Sequence, residues 1–142
     1  MPKPAGCLFC SIIRGETPAQ TVLDDKIALA FLDHRPLFPG HCLIVPKTHY
    51  ETLTDLPPEL LGPLFERAQS LARAVEVAMQ ATGTFVAMNN RVSQSVPHLH
   101  IHVVPRRPKD GLKGFFWPRT KYASDEAMVE TAALIRKALS GR

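Results

Sequence analysis

From His98 to Val103 the chain alternates imidazole and aliphatic side chains, His-Leu-His-Ile-His-Val, and then reads Val104-Pro105-Arg106. Successive side chains of a β-strand point to opposite faces, and residues two apart lie roughly 6.5–7 Å from each other on the same face. The alternation predicts a strand that buries Leu99, Ile101 and Val103 and displays His98, His100 and His102 as a row. One such strand cannot bury its apolar face alone. It needs a sheet and a covering layer.

The remaining pattern supplies both. "TVLDDKIALAFLD" reads as two short strands around a turn at Asp24-Asp25-Lys26, and "HCLIVPK" as a buried strand stopped by Pro46. "TFVAMNN" and "HLHIHVVP" are the last two strands, joined by the polar loop "NRVSQS". Between them, from about Pro57 to Ala81, Leu60, Leu64, Ala68, Leu71, Val75 and Met79 recur at helical spacing. Pro63 predicts a kink or a late start for this helix, and Gly83 its stop. A short helix is expected within "CLFCSIIRGE", ending near Gly15. A final helix is expected over about 124–139, with a Ser124 cap and Met128, Ala132, Ile135 and Leu139 on one face. The expectation is an α+β fold: a mostly antiparallel sheet of about five strands, one long helix and a C-terminal helix.

The 142 residues suit a single domain, with about 107–142 as a C-terminal extension. No apolar run is long enough to span a membrane, and the N-terminus lacks the pattern of a signal peptide. Three cysteines form no disulfide framework, which makes the cytoplasm the default, and Cys42 reads as a small core residue. The net charge of +4 is too weak to argue for nucleic acid, although basic residues thicken after Arg106 on a side that would suit a small anion. His34 and His41 read as surface or loop histidines.

Three chemistries could use the histidine row. It could be an exposed face with no special role, a metal site, or a nucleophilic centre acting on phosphorus. A neutral imidazole can attack a phosphoryl group to form an intermediate that water then hydrolyses. A neighbouring imidazole can move protons to the leaving group. The turn Ser93-Gln94-Ser95 just before the row offers hydroxyl, amide and backbone donors for the charge that shifts.

"QSVPHLHIHVVPR" resembles the signature of the histidine-triad (HIT) family, His-φ-His-φ-His-φ-φ with φ apolar. "CLFCSIIRGETPAQTVLDDKIALAFLDHRPLFPGHCLIVPKTHY" is similar to the family's N-terminal half, and "FVAMNN" to its penultimate strand. The resemblance spans roughly residues 7–106. It implies a nucleotide-binding homodimer that acts at the α-phosphate of a nucleoside monophosphate conjugate, such as an AMP phosphoramidate, with purine the usual base. Carried over by position, it implies that His100 is the nucleophile that becomes nucleotidylated. His102 contacts the phosphate and helps protonate the leaving group, and His98 orients the site. Asn89 and Ser95 match positions around the nucleophile and phosphate, and Gln94 lies in the same turn. Asp33 matches the acceptor of the ribose hydroxyls, and Phe9, Ile12 and Phe31 match the apolar wall around the base. The loop Asn89–Gln94 lacks the glycines many members carry, a departure in sequence that leaves its phosphate contacts and the substrate tail it fits unassigned by the resemblance. "GLKGFFWPRTKY" looks like an extension of a bacterial branch, with "GFFWPR" set for packing or for substrate contact across a dimer interface.

Taken alone, Cys7-Leu8-Phe9-Cys10 reads as free thiols on a short helix. The resemblance implies instead a zinc site of Cys7, Cys10, His49 and His98, as in some bacterial members. A four-ligand set of this kind is closed, so such a zinc is structural and His98 is then no acid or base. No organic cofactor is implied. Alternatives are a dinucleoside polyphosphate hydrolase, and a nucleotide- or zinc-binding module without catalysis.

Overall fold

In the computed structural model, residues 6–112 and 119–141 are described; the aromatic stretch at 114–118, with the substrate contact expected of it, lies outside them. The chain divides into two compact units, Met1–Asp110 and Gly111–Arg142. The first unit is α+β, in the order α1 (Leu8–Ile13), β1 (Thr21–Asp24), β2 (Ala28–Leu32), β3 (Cys42–Pro46), a 3-10 turn (Leu53–Asp55), α2 (Pro58–Met79), β4 (Gly83–Ala87) and β5 (Ile101–Arg106). The five strands form one antiparallel sheet in the order β1-β2-β3-β5-β4. The second unit holds α3 (Asp125–Ser140). There the Ser124 hydroxyl accepts from Ala127 N at 3.0 Å, and Asp125 and Glu126 occupy the first turn. No helix among the described residues is long and apolar enough to cross a membrane.

Strand parity organises the first unit. Ala28 and Ala30 of β2, Cys42 and Ile44 of β3, and Ile101 and Val103 of β5 share a face with the α2 stripe Leu64, Ala68, Leu71 and Val75. Leu29, Phe31, Leu43 and Val45 join α1 through Cys7, Phe9 and Cys10. Register confirms the assignment, because Leu43 is the partner of His102 and Cys42 of Val103. The histidines therefore share the α1 side of the sheet, and their aliphatic neighbours the α2 side. At ~1.5–3 kcal/mol for each large aliphatic side chain withdrawn from water, these two layers fix which face the row takes.

Asp25 closes the β1–β2 turn: its carboxylate accepts the backbone N–H groups of Ile27 (2.8 Å) and Ala28 (3.0 Å) and takes a 2.7 Å contact from Arg67 of α2. The same arginine donates to the carbonyl of Pro63 at 2.7 Å. α2 starts at Pro58 and runs through Pro63. Its stop differs from the sequence expectation. The helix ends at Gln80, which adopts a left-handed conformation (φ 52°, ψ 43°), while Ala81 N closes on Glu76 O at 2.9 Å. Gly83 opens β4 instead. The histidine strand also starts late, with β5 pairing only from Ile101. Leu99 N donates to Tyr50 O (2.7 Å) and His98 N to Val96 O (2.8 Å), so this backbone is engaged outside the ladder.

Candidate active site and metal centre

Cys7 caps α1, and its sulfur accepts Cys10 N at 3.4 Å; the i, i+3 spacing turns both thiols to one side of the helix start. There they meet His49, from the loop after β3, and His98. Nδ1 of His98 lies 3.5 Å from Cys7 Sγ and 3.6 Å from Cys10 Sγ; Nδ1 of His49 lies 3.3 Å from Cys10 Sγ and 3.1 Å from His98 Nδ1. All four residues are buried and their donor atoms lie within 4.8 Å of one another. Tetrahedral zinc, with Zn–N near 2.0–2.1 Å and Zn–S near 2.3 Å, sets ligand edges of about 3.3–3.8 Å, so the donor set fits such an ion. The tautomer agrees. His98 Nε2–H donates to Pro46 O at 2.9 Å, which leaves its Nδ1 lone pair facing inward. Burial lowers the pKa of His49. His49 Nδ1, 3.1 Å from His98 Nδ1, either donates to that lone pair as an N–H or joins it in facing a shared cation.

A pocket of about 680 Å³ opens beside this cluster. Its lining includes seven residues singled out from the sequence: Phe9, Ile12, Phe31, Asp33, Ser95, His100 and His102. Asn89 and Gln94 lie outside that lining. Asn89 Nδ2 donates to Ser93 O at 3.2 Å. Gln94 Nε2 donates to Glu51 O at 2.6 Å, while its Oε1 accepts Arg91 N at 2.8 Å. The Gln94 amide thus ties the loop to the segment that follows His49. Without glycines, this loop places Arg91 (φ 70°) and Ser93 (φ 61°) in the left-handed region, at roughly 1–2 kcal/mol each.

Backbone partners also fix the tautomers of the row. His100 Nδ1 donates to His98 O at 2.7 Å, leaving Nε2 as its free, unprotonated nitrogen. Burial lowers the pKa of His100, which keeps the ring neutral. Its ring stands 5.0 Å from Phe9 and 5.1 Å from His102, centre to centre.

His41 corrects the sequence reading. It is no surface histidine: it is 3% exposed and faces His102. Its Nδ1 accepts Leu37 N at 3.0 Å, so Nε2 carries the hydrogen and donates to His102 Nδ1 at 3.0 Å, with Asp33 Oδ2 3.6 Å away. His102 must then hold its hydrogen on Nε2. The signal for His41 lay in strand parity, since residue 41 precedes Leu43 by two and Leu43 pairs with His102. Asp33, His41 and His102 also have the composition of a metal site. The Leu37 N–H argues otherwise, because it makes His41 Nε2 a donor. Burial, followed by the neighbouring rings of His100 and His41, lowers the pKa of His102 to about 4, against an opposing pull from Asp33. The site is therefore a chain of neutral imidazoles ending in an N–H directed away from His41.

Residues 14–109 match the HIT domain. The chain is 40% identical over 139 residues to the uncharacterized HIT-like protein Rv1262c of Mycobacterium tuberculosis, covering 94% of this chain and 93% of that one. It is 36% identical over 115 residues to adenosine 5'-monophosphoramidase HNT1 of Saccharomyces cerevisiae (80% and 71% covered). To adenylylsulfatase HINT3 of Arabidopsis thaliana it is 37% identical over 108 residues (75% and 55% covered). Among solved structures, SMU.412c of Streptococcus mutans superposes with a TM-score of 0.87 at 32% identity, covering 96% of this chain and 87% of that one. A Zn-bound histidine triad family protein from Mycobacterium smegmatis gives 0.72 at 36% identity, with 96% and 98% covered.

Proposed function

The chain belongs to the HIT family, and from that premise we propose that it is a nucleotide-binding hydrolase that cleaves nucleoside monophosphate conjugates at the α-phosphate. The observation that carries this reading is the 2.7 Å bond from His100 Nδ1 to His98 O, in a residue that lines the pocket. It leaves a neutral Nε2 as nucleophile. In the first step the Nε2 lone pair forms a bond to phosphorus as the bond to the leaving group breaks. The leaving group takes the proton of His102 Nε2–H, and the proton that His41 holds against His102 Nδ1 offsets the loss. An anionic phosphate beside His102 raises its affinity for a proton, which is the direction a general acid needs. Water then attacks phosphorus and gives its proton to His102 Nε2, restoring the hydrogen lost in the first step; the P–N bond breaks, and the nucleoside monophosphate leaves neutral His100 behind. Ser95 supplies a donor to the phosphate, Asp33 receives the ribose hydroxyls, and Phe9, Ile12 and Phe31 enclose the base.

The pocket's charge selects among substrates. No lysine or arginine lines it among the described residues, and Asp33 adds a negative charge. A single phosphate carrying an amine or a sulfate brings fewer negative charges to such a lining than the three or four of a polyphosphate. The names of the yeast and Arabidopsis relatives, an adenosine monophosphoramidase and an adenylylsulfatase, support an amine or sulfate on AMP. The Cys7, Cys10, His49, His98 centre is read as structural zinc, supported by its donor geometry and by the Zn-bound M. smegmatis relative. When bound, the ion supplies a cross-link and no open coordination position. The odd cysteine count and the family resemblance support a cytoplasmic homodimer. The test is kcat/KM for adenosine phosphoramidate against diadenosine triphosphate and tetraphosphate. The reading expects the phosphoramidate to lead by at least about tenfold; a lead for the polyphosphates overturns it in favour of dinucleoside polyphosphate hydrolysis.

A further inference from the structure

The metal centre and the pocket share parts. Helix α1 has six residues, too few to hold a helical form unaided. Cys7 and Cys10, at its start, belong to the donor set, while Leu8, Phe9 and Ile12 line the pocket. Phe9 stands between the two thiols in sequence and meets Phe31, His98 and His100 edge-on at 5.5, 6.0 and 5.0 Å. His98 joins the two sites a second time. Its Nδ1 faces the thiols, and its carbonyl oxygen receives His100 Nδ1–H. One residue thus offers a donor atom to the metal and sets the tautomer of the nucleophile.

Resting on the nucleotide reading of the pocket, we propose that Cys7, Cys10 and His49 are positioning residues for it: a cation held among them and His98 fixes the α1 wall and the His98 carbonyl together, so that metal occupancy sets nucleotide affinity and the tautomer of His100. The physical cause is the buried donor set itself. Without a cation, two thiols and two imidazole nitrogens within 4.8 Å of one another are joined only by weak S–H···N and N–H···N hydrogen bonds in place of metal–ligand bonds. The six-residue α1 is the element that can yield, because beyond the metal donors it is an apolar cluster that retains it. Yielding moves Leu8, Phe9 and Ile12 out of the pocket wall. Coupling of this kind is reciprocal, so nucleotide must tighten metal by the factor that metal tightens nucleotide.

The experiment uses the full chain with zinc and AMP as probes. AMP affinity is measured on zinc-loaded and chelator-stripped protein, and zinc affinity by chelator competition with and without saturating AMP. Histidine 15N spectra report which His100 nitrogen carries the hydrogen. Stripping should weaken AMP binding by about tenfold or more, AMP should tighten zinc by the same factor, and the His100 Nδ1–H population should fall on stripping. Should stripped protein lose its fold, the Cys7→Ser protein, with a weaker fourth ligand, is titrated with zinc, and AMP affinity should rise in step with occupancy. An AMP affinity unchanged within about twofold across zinc occupancy, or a zinc affinity indifferent to AMP, overturns the coupling while leaving the nucleotide reading intact. Failure of zinc-loaded wild type to bind AMP overturns the nucleotide reading, and the coupling with it.

Discussion

His41 Nε2 lies 3.0 Å from His102 Nδ1, and the backbone N–H of Leu37, 3.0 Å from His41 Nδ1, decides which of the two carries the hydrogen. A main-chain amide thereby sets the tautomer of two side chains in series. His102 is left with its hydrogen on Nε2, the arrangement a leaving-group acid requires. Replacing His41 by Phe keeps the ring's bulk and removes the donor. Activity on adenosine phosphoramidate should drop about 10²–10³-fold in kcat with KM changed by no more than a few-fold. Steady-state kinetics on the purified variant checks this, with its urea midpoint as the control for folding.

The depressed pKa of His102 makes stability depend on pH. In the folded chain its pKa is about 4, while the unfolded chain binds the proton with an ordinary value near 6.5. Between these limits the unfolded state holds more protons, so stability rises with pH and is lost as pH falls from 6.5 towards 4. At about 1.4 kcal/mol per pH unit, the loss linked to this residue approaches ~3 kcal/mol. Urea denaturation across this range should show a flatter pH dependence for His102→Phe than for wild type. Equal slopes would mean that His102 titrates alike in both states.

The stop of α2 predicts a gain. Gln80 holds φ 52°, a conformation that disfavours any side chain with a Cβ and that glycine adopts freely. Gln80→Gly should stabilise the chain by about 0.5–1 kcal/mol, read as a higher urea midpoint at unchanged m-value. Destabilisation would show that the Gln80 side chain contributes more than its backbone costs.

Much of this was legible because side-chain parity is a rigid geometric rule. Alternation assigned Leu99, Ile101 and Val103 to the core and the three histidines to the opposite face, and the period of Leu64, Ala68, Leu71 and Val75 located α2. What escaped depended on contacts far apart in sequence. His41 follows "RPLFPG", a loop by composition, yet β3 pairing turns it into the site. Gln80 ends α2 through a left-handed backbone that no residue preference marks, so the nearby Gly83 drew the reading away. The Cys7–Cys10 pair taken alone reads as free thiols; only the family resemblance joined it to His49 and His98, 39 and 88 residues from Cys10, which the fold brings to the same point. Gln94, expected near phosphate, engages its amide with backbone at Glu51 and Arg91, contacts across a loop and to a segment 43 residues away that composition does not mark.

The central claim is that His100 Nε2 forms a covalent bond to the α-phosphorus. Rapid acid-free quench of wild type turning over adenosine phosphoramidate, followed by peptide mass spectrometry, tests it most directly. The account predicts an adenylyl group on His100 within the first turnover, no such adduct and no turnover in His100→Ala, and AMP binding retained in that variant. Turnover by the His100→Ala protein at the wild-type rate, or an adduct on any other residue, would contradict it.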